Sequence, residues 1–312
     1  MEYRELSDQI INRIPVSSDR KDAFFYKYNY FVRKPKVPYE VQIEPTNACN
    51  FNCIMCYDRN METGFMPLDV YKGIVDELVD AGTRSVMLQW RGESFLHPDI
   101  LEMIEYGKQK NLRLHITSNG SSLTPCMSEK IVDLGLDEIR FSFNAGTPGT
   151  FKRICGVDYF FKCLRNIQSF IRIRNRYGRK KPTRVYVKSV VMRDNKGDLH
   201  LVKDLFKVKP DAFGYSSCSY HPLTMCYDGR VVKNSFKRTV PCNSLFNTLS
   251  VTWDGRVTTC CVDSNCSLVL GDVGEGVVSV FNSDKMKQYR RWHLNGDFDR
   301  MQVCRFCMSK GG

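Results

Sequence analysis

Residues 49–56 read Cys49-Asn50-Phe51-Asn52-Cys53-Ile54-Met55-Cys56, and they follow directly on a short apolar run at 41–45. Three thiols thus sit on one short loop, spaced by three and then two residues. Thiolates in fours are the usual ligands of a four-iron cubane. Three from one loop hold three irons and leave the fourth open to a small molecule, which suits an enzyme rather than an electron carrier. The bland alternatives are a zinc site or plain core thiols. Zinc usually takes four protein ligands, in structural sites often as paired knuckles, and this loop offers three at uneven spacing.

Working outward from the loop, strands and helices alternate. Apolar runs near 41–45, 85–90, 112–118, 138–144, 184–192 and 212–217 predict strands. Helix-period segments near 68–81, 98–110, 124–134, 158–177 and 197–207 lie between them. Such alternation predicts an α/β fold with a parallel sheet, here a partial (β/α)6 TIM-like barrel over 41–220. An aromatic-rich basic arm covers 1–40, and a small Cys-rich domain covers 221–312. Barrel chemistry gathers at the C-terminal strand ends. Alternation along the third strand puts His115, Thr117 and Asn119 on the inner face and Leu114 and Ile116 against the helices. The fourth strand turns Arg140, Ser142 and Asn144 inward, and the fifth turns in Tyr186, Lys188, Val190 and Met192. A lysine inside a barrel is costly unless paired or used. Lys188 is therefore a candidate for a carboxylate contact or a base, or else for an ion pair with inward Glu44. Cys218 closes the sixth strand, where a thiol can face the reaction chamber or lie inert.

Eight of the fourteen cysteines fall in the last third. Cys242 and Cys260 flank an expected hairpin turned at Asp254-Gly255, and Cys304 and Cys307 follow as CRFC. The four thiols suit a second cluster or a four-cysteine zinc site. Cys261 adjoins a candidate ligand, and neither it nor Cys266 is assigned. Cys126, Cys155 and Cys163 read as small core residues on helices.

No run of about 18 apolar residues is present, so no membrane span is expected, and residues 1–15 lack the apolar stretch of a signal peptide. Many cysteines without a secretion signal point to a reducing cytoplasm and to metal binding. Lys+Arg number 46 against 34 Asp+Glu, a net charge of +12. The densest basic run, Arg172 to Lys188, reads as a solvated face or as a dock for an anionic partner. The aromatic and basic stretch 24–39 suits single-strand stacking, so a nucleic-acid-binding metal-cluster protein is the alternative of a different class.

The cysteine loop resembles the signature of radical S-adenosylmethionine (SAM) enzymes. That resemblance implies a [4Fe-4S] cluster whose open iron chelates SAM, and a 5′-deoxyadenosyl radical that abstracts hydrogen. Arg91-Gly92-Glu93-Ser94 resembles the family's glycine-glycine-glutamate-proline motif, with Arg91 and Ser94 as departures. Glu93 is then expected to accept a hydrogen bond from the SAM amino group. Ser142 and Asn144 resemble the serine-x-aspartate pair near the ribose, with Thr117 and Asn119 as further SAM contacts. Met55 stands where many members carry an aromatic before the third cysteine, and Tyr57, directly after Cys56, is expected to stack on adenine instead. Asn47, Asn50 and Asn52 are expected to shape the loop through local bonds to backbone.

The C-terminal pattern looks like the short twitch form of the SPASM domain, which implies one auxiliary [4Fe-4S] cluster on Cys242, Cys260, Cys304 and Cys307. The further cysteines of the full form are absent from this sequence. Three outcomes are implied. One is oxidation of a small hydroxylated substrate (sugar, cyclitol or nucleoside), with the auxiliary cluster taking an electron. A second is epimerisation with Cys218 returning hydrogen. The third is peptide maturation, ranked last because only about 40 residues precede the barrel. The partners implied are a small molecule, anionic or phosphate-bearing in one reading, and an electron donor such as flavodoxin or ferredoxin. Glu93, with its strand-end setting, speaks against a pure nucleic-acid binder.

Overall fold

A computed structural model describes residues 36–56, 62–178, 183–217 and 241–304. Strand β1 (Glu40–Ile43) leads through the cysteine loop to helix α1 (Leu68–Ala81). Then come β2 (Ser85–Leu88), α2 (Ile100–Gln109), β3 (Arg113–Ser118), α3 (Pro125–Asp133) and β4 (Glu138–Ser142). The chain continues through α4 (Pro148–Cys155), α5 (Phe160–Arg176), β5 (Arg184–Val191), a short α6 (Val202–Leu205) and β6 (Ala212–Ser217). All six predicted strands are present, pairing in parallel in the order β6-β5-β4-β3-β2-β1.

Helix α4 has no counterpart in the periodicity reading. Its punctuation is nonetheless local. Thr147 accepts a hydrogen bond from the Thr150 N–H as N-cap, Pro148 opens the first turn, and Gly156 closes the helix at φ +70°. Only eight residues separate these signals, too few for a clear helical period.

The C-terminal segment joins the same sheet rather than standing apart from it. Strand β7 (Thr248–Val251), preceded by α7 (Asn243–Asn247), pairs in parallel with β1, Glu40 opposite Thr248. Strands β8 (Arg256–Thr258) and β9 (Val269–Asp272) then add in antiparallel fashion, so one nine-stranded sheet runs from β6 to β9. The expected hairpin is there, with Gly255 at φ +87° in its turn. Helix α8 (Val277–Phe281) is anchored to the barrel by Glu77, whose carboxylate accepts the Val277 and Val278 N–H groups at 2.9 and 2.8 Å. Helix α9 (Asp284–Asn295) follows.

The core lies between sheet and helices, where Leu114, Ile116, Ile139, Phe141, Val185 and Val187 are buried. Aromatic rings knit it: Phe141 meets Phe170 edge-on at 5.6 Å, and Phe143 meets Phe206 at 5.5 Å. Fully burying one such side chain contributes about 1.5–3 kcal/mol. Because these alternate positions are apolar, the intervening residues are committed to the inner face. Cys155 and Cys163 are buried as expected, but Cys126 is exposed. It occupies the first turn of α3 directly after Pro125, on the solvent side of the buried residues Ser128, Ile131 and Val132. Among the described residues no helix is long and apolar enough to cross a membrane.

Candidate active site

The cysteine loop leaves the C-terminal end of β1 and is clamped from three directions. Asn47 donates to the Glu62 carbonyl at 2.7 Å and accepts from the Gly64 N–H at 2.9 Å. Asn50 donates to the Ser121 hydroxyl and accepts from Asn119 Nδ2, at 2.7 and 2.9 Å. The Asn52 and Ile54 N–H groups donate to the Cys155 and Ile154 carbonyls at the end of α4, at 3.0 and 2.9 Å. For the Asn47 and Asn50 side chains, the expected local bonds are thus replaced by long-range ones. The loop is tied to the chain after it, to the end of β3 and to α4. Gly156 permits the last contact, since a Cβ there would meet the Asn52 carbonyl at 2.7 Å.

Cys49, Cys53 and Cys56 are all half-buried on this loop. Buried Cys155 lies against Cys53, and the hydrogen bond between them together with desolvation pushes the Cys155 thiol far up. The donor set, three thiols on an immobilised loop with no fourth beside them in sequence, fits a cubane with one open corner. Among the described residues no three metal-binding side chains converge on a single point. That is compatible with a cubane, whose thiolates bind separate corners.

The Arg91–Ser94 turn sits beside this loop at the end of β2. Gly92 is indispensable sterically: a Cβ would come within 2.1 Å of the Thr46 carbonyl oxygen. Glu93 is 2% exposed. Its Oε1 accepts from the Ser118 hydroxyl at 2.8 Å and the Phe95 N–H at 3.3 Å, and Oε2 accepts from the Asn119 N–H at 2.7 Å. Burial raises its carboxyl pKa against these lowering bonds. In this structure Glu93 therefore holds the end of β3. Arg91 is ion-paired with Glu44 inside the protein, and its Nη1 donates to the Ser264 carbonyl at 2.9 Å. The departure from glycine at 91 thus carries a cross-domain tie. It also corrects the expected Lys188–Glu44 pair, because Glu44 is taken by Arg91 and by the Trp253 N–H.

Of the other expected SAM contacts, Thr117 and Ser142 are half-buried on the inner face. Asn119 is buried and holds Asn50, while its Oδ1 accepts the Ser121 N–H at 2.8 Å. Asn144 is buried too, its Oδ1 accepting the Val190 N–H at 2.9 Å. Lys188 stands opposite Ser142 in the β4–β5 register and is exposed on the inner face. Its stem lies over Gly214, where a Cβ would be 3.4 Å from Lys188 Cγ. Burial and the Arg140 charge lower its pKa, with Glu138 opposing. His115, Glu138 and Arg140 share this face, and burial lowers the His115 pKa. Tyr57, Cys218 and Cys307 lie outside the described residues.

The second cysteine group is brought together from three elements. Cys242 precedes α7, Cys260 follows β8, and Cys304 lies beyond α9. The Cys260 thiol is buried although the residue as a whole is half-exposed. Burial first, then the neighbouring Cys261, Cys304 and Cys242 thiols, raise its pKa well above the ordinary value. Four thiol-bearing residues within electrostatic reach fit a second thiolate-ligated group. Asp263, fully buried, organises the loop by accepting the Ser267 and Leu268 N–H groups at 2.9 Å each. Trp90 donates to the Cys261 carbonyl at 2.8 Å, fastening this loop to the β2 turn. Sequence reading missed Asp263, His293 and the Arg91–Glu44 pair, since only folding reveals their partners.

Comparison with known proteins agrees with this geometry. The family model described as Radical SAM superfamily matches residues 43–200, and the iron–sulfur cluster-binding domain SPASM matches 242–308. The chain is 29% identical over 133 residues to AdoMet-dependent heme synthase of Methanosarcina barkeri, covering 38% of each chain. It is 27% identical over 199 residues to the tungsten-containing aldehyde ferredoxin oxidoreductase cofactor-modifying protein of Pyrococcus furiosus, covering 61% of this chain and 55% of that one. The matched region is thus about two fifths to just over half the length of these relatives. Among solved structures, Streptococcus suis SuiB bound to S-adenosylmethionine superposes with a TM-score of 0.70 at 14% identity, over 93% of this chain and 78% of that one. BtrN in complex with AdoMet and 2-DOIA gives 0.55 at 19% identity, over 86% and 92%. At these identities the structures speak to the fold.

Proposed function

We propose, for a chain that belongs to the radical SAM superfamily and carries a SPASM iron–sulfur domain, that it oxidises a C–H bond of a small hydroxylated molecule such as a sugar, cyclitol or nucleoside. The observation that carries this reading is the inner face of β3–β5. Thr117, His115, Glu138, Arg140, Ser142 and Lys188 line it, a polar and charged surface suited to hydroxyl or anionic groups rather than to an apolar substrate. When bound, the SAM-ligated cluster and the auxiliary cluster supply a 5′-deoxyadenosyl radical and an acceptor for the electron left behind.

Cys49, Cys53 and Cys56 would hold the first cluster, and Cys242, Cys260, Cys304 and Cys307 the second. Glu93 holds the β3 end on which the cysteine loop rests, and in this reading it would also accept a hydrogen bond from the SAM amino group. Thr117, Asn119, Ser142 and Asn144 would line the SAM side of the mouth. Lys188 and Arg140 would hold a substrate oxygen or anionic group, with Lys188 able to take up the hydroxyl proton. Reducing equivalents come from an external donor of the flavodoxin or ferredoxin kind.

Two measurements test this. Anaerobically reconstituted wild type should carry about eight irons, and the Cys49/Cys53/Cys56→Ala variant about four, with SAM cleavage reduced to background. A wild type with only about four irons, all lost in the variant, would remove the auxiliary cluster and with it the oxidative reading. In addition, a panel of C-deuterated cyclitols, sugars and nucleosides should include one that transfers deuterium into 5′-deoxyadenosine. Transfer from peptides alone would replace the small-molecule reading with peptide maturation.

A further inference from the structure

His293 is a buried imidazole that the proposed chemistry leaves without a task. It lies in the last turn of α9, is 1% exposed, and packs edge-on against Phe298 at 5.0 Å. Both ring nitrogens face groups of the C-terminal cysteine cluster. The Cys242 backbone N–H donates to Nδ1 at 3.2 Å. Nδ1 must then offer a lone pair, which places the ring proton on Nε2. Nε2 is 3.2 Å from Cys304 Sγ. One side chain therefore spans a ligand candidate before α7 and another after α9, with its donor end directed at sulfur.

The geometry points to His293 as a positioning residue of the auxiliary cluster, one whose Nε2–H donates a hydrogen bond to the Cys304 thiolate and raises the reduction potential of the cluster. This rests on the reading that Cys242, Cys260, Cys304 and Cys307 hold that cluster. The physical cause is simple. Reduction adds negative charge that spreads onto the ligating sulfurs, and a hydrogen bond to sulfur stabilises the reduced form more than the oxidised one. In a water-poor site such a charge-assisted bond is strengthened. The consequence is an auxiliary cluster better suited to accept an electron than to give one. His293 is a poor candidate for a ligand itself, because its Nδ1 lone pair is already used and its Nε2 meets a sulfur at hydrogen-bond distance.

The test uses the full chain in the Cys49/Cys53/Cys56→Ala background, so that one cluster is titrated alone. His293→Leu and His293→Gln are reconstituted anaerobically and followed by EPR-monitored redox titration. Both should retain the parent iron content, about four per chain. The reduced-to-oxidised ratio of His293→Leu at the parent midpoint should fall about tenfold, equivalent to ~59 mV for a one-electron couple. His293→Gln, which keeps an N–H donor, should recover part of that shift. An unchanged potential in His293→Leu at full iron content would reduce His293 to packing. Loss of iron in both variants would make it a ligand. A parent lacking the four irons would remove the auxiliary-cluster reading and this inference with it.

Discussion

Replacing Arg91 by Met should destabilise the protein by about 3–5 kcal/mol, read as a lowered denaturant midpoint, because it strands a buried carboxylate. Glu44 is 0% exposed and Arg91 7%. Arg91 Nε donates to Glu44 Oε1 at 2.7 Å, and its backbone N–H reaches the same oxygen at 3.2 Å. Burial works against the guanidinium charge, but the Glu44 carboxylate outweighs it and holds the Arg91 pKa above its ordinary value. With the guanidinium gone, Glu44 keeps, among the described residues, only the backbone N–H donors of residue 91 and Trp253. The same change cuts the bond to the Ser264 carbonyl and the stacking of Arg91 on Trp90 at 4.8 Å. A double variant, Arg91→Met with Glu44→Gln, should regain most of the loss, since it removes the stranded charge itself. A loss below about 1 kcal/mol in the single variant would mean that water reaches Glu44 and that the pair is not what joins the loop at 260–266 to the β2 turn.

Glu93→Ala should be nearly as costly and should also reach the chemistry. Three donors, the Ser118 hydroxyl and the Asn119 and Phe95 N–H groups, lose their acceptor in a site without solvent. An unsatisfied buried group costs about 1–3 kcal/mol, so a loss of about 3 kcal/mol is expected. Asn119 holds Asn50, so the disturbance passes directly into the cysteine loop. SAM affinity, measured by equilibrium dialysis on reconstituted protein, should fall at least tenfold (about 1.4 kcal/mol). Unchanged SAM binding in a folded Glu93→Ala protein would leave Glu93 as a clamp on β3 alone.

The pH dependence has a definite sign. Burial raises the folded pKa of Glu93 above 4.5, so its contribution is fully present below the unfolded value and is lost as pH rises through the folded one. Glu93→Gln cannot titrate. The stability of wild type relative to Glu93→Gln should therefore decline as pH climbs from about 4.5 to past the raised value.

Much of the scaffold was legible before folding. Strand alternation at Leu114/Ile116 and Ile139/Phe141 reported which side chains face the helices, because a sheet buried on one face must be apolar at every second residue. The Asp254-Gly255 turn and the three-thiol loop are likewise short-range patterns. Helix α4 escaped because its signals are caps at Thr147 and Gly156 rather than a period. The partner of Glu44 was misjudged for a different reason. Both Lys188 and Arg91 are cations near the barrel mouth, and only their distances choose between them.

What the sequence by itself determined is therefore the six barrel strands, their inner and outer faces, and the thiol-bearing loops, since each depends on residues within one strand or turn. The tertiary structure alone decided which groups meet across the fold. It set β7 beside β1, Arg91 between Glu44 and Ser264, Glu93 under the end of β3, and His293 between Cys242 and Cys304. These contacts join residues from 11 (His293 with Cys304) to 208 (Glu40 with Thr248) positions apart, and none is encoded by local spacing, because a hydrogen bond or ion pair forms only where packing of the whole sheet brings donor and acceptor within about 3 Å.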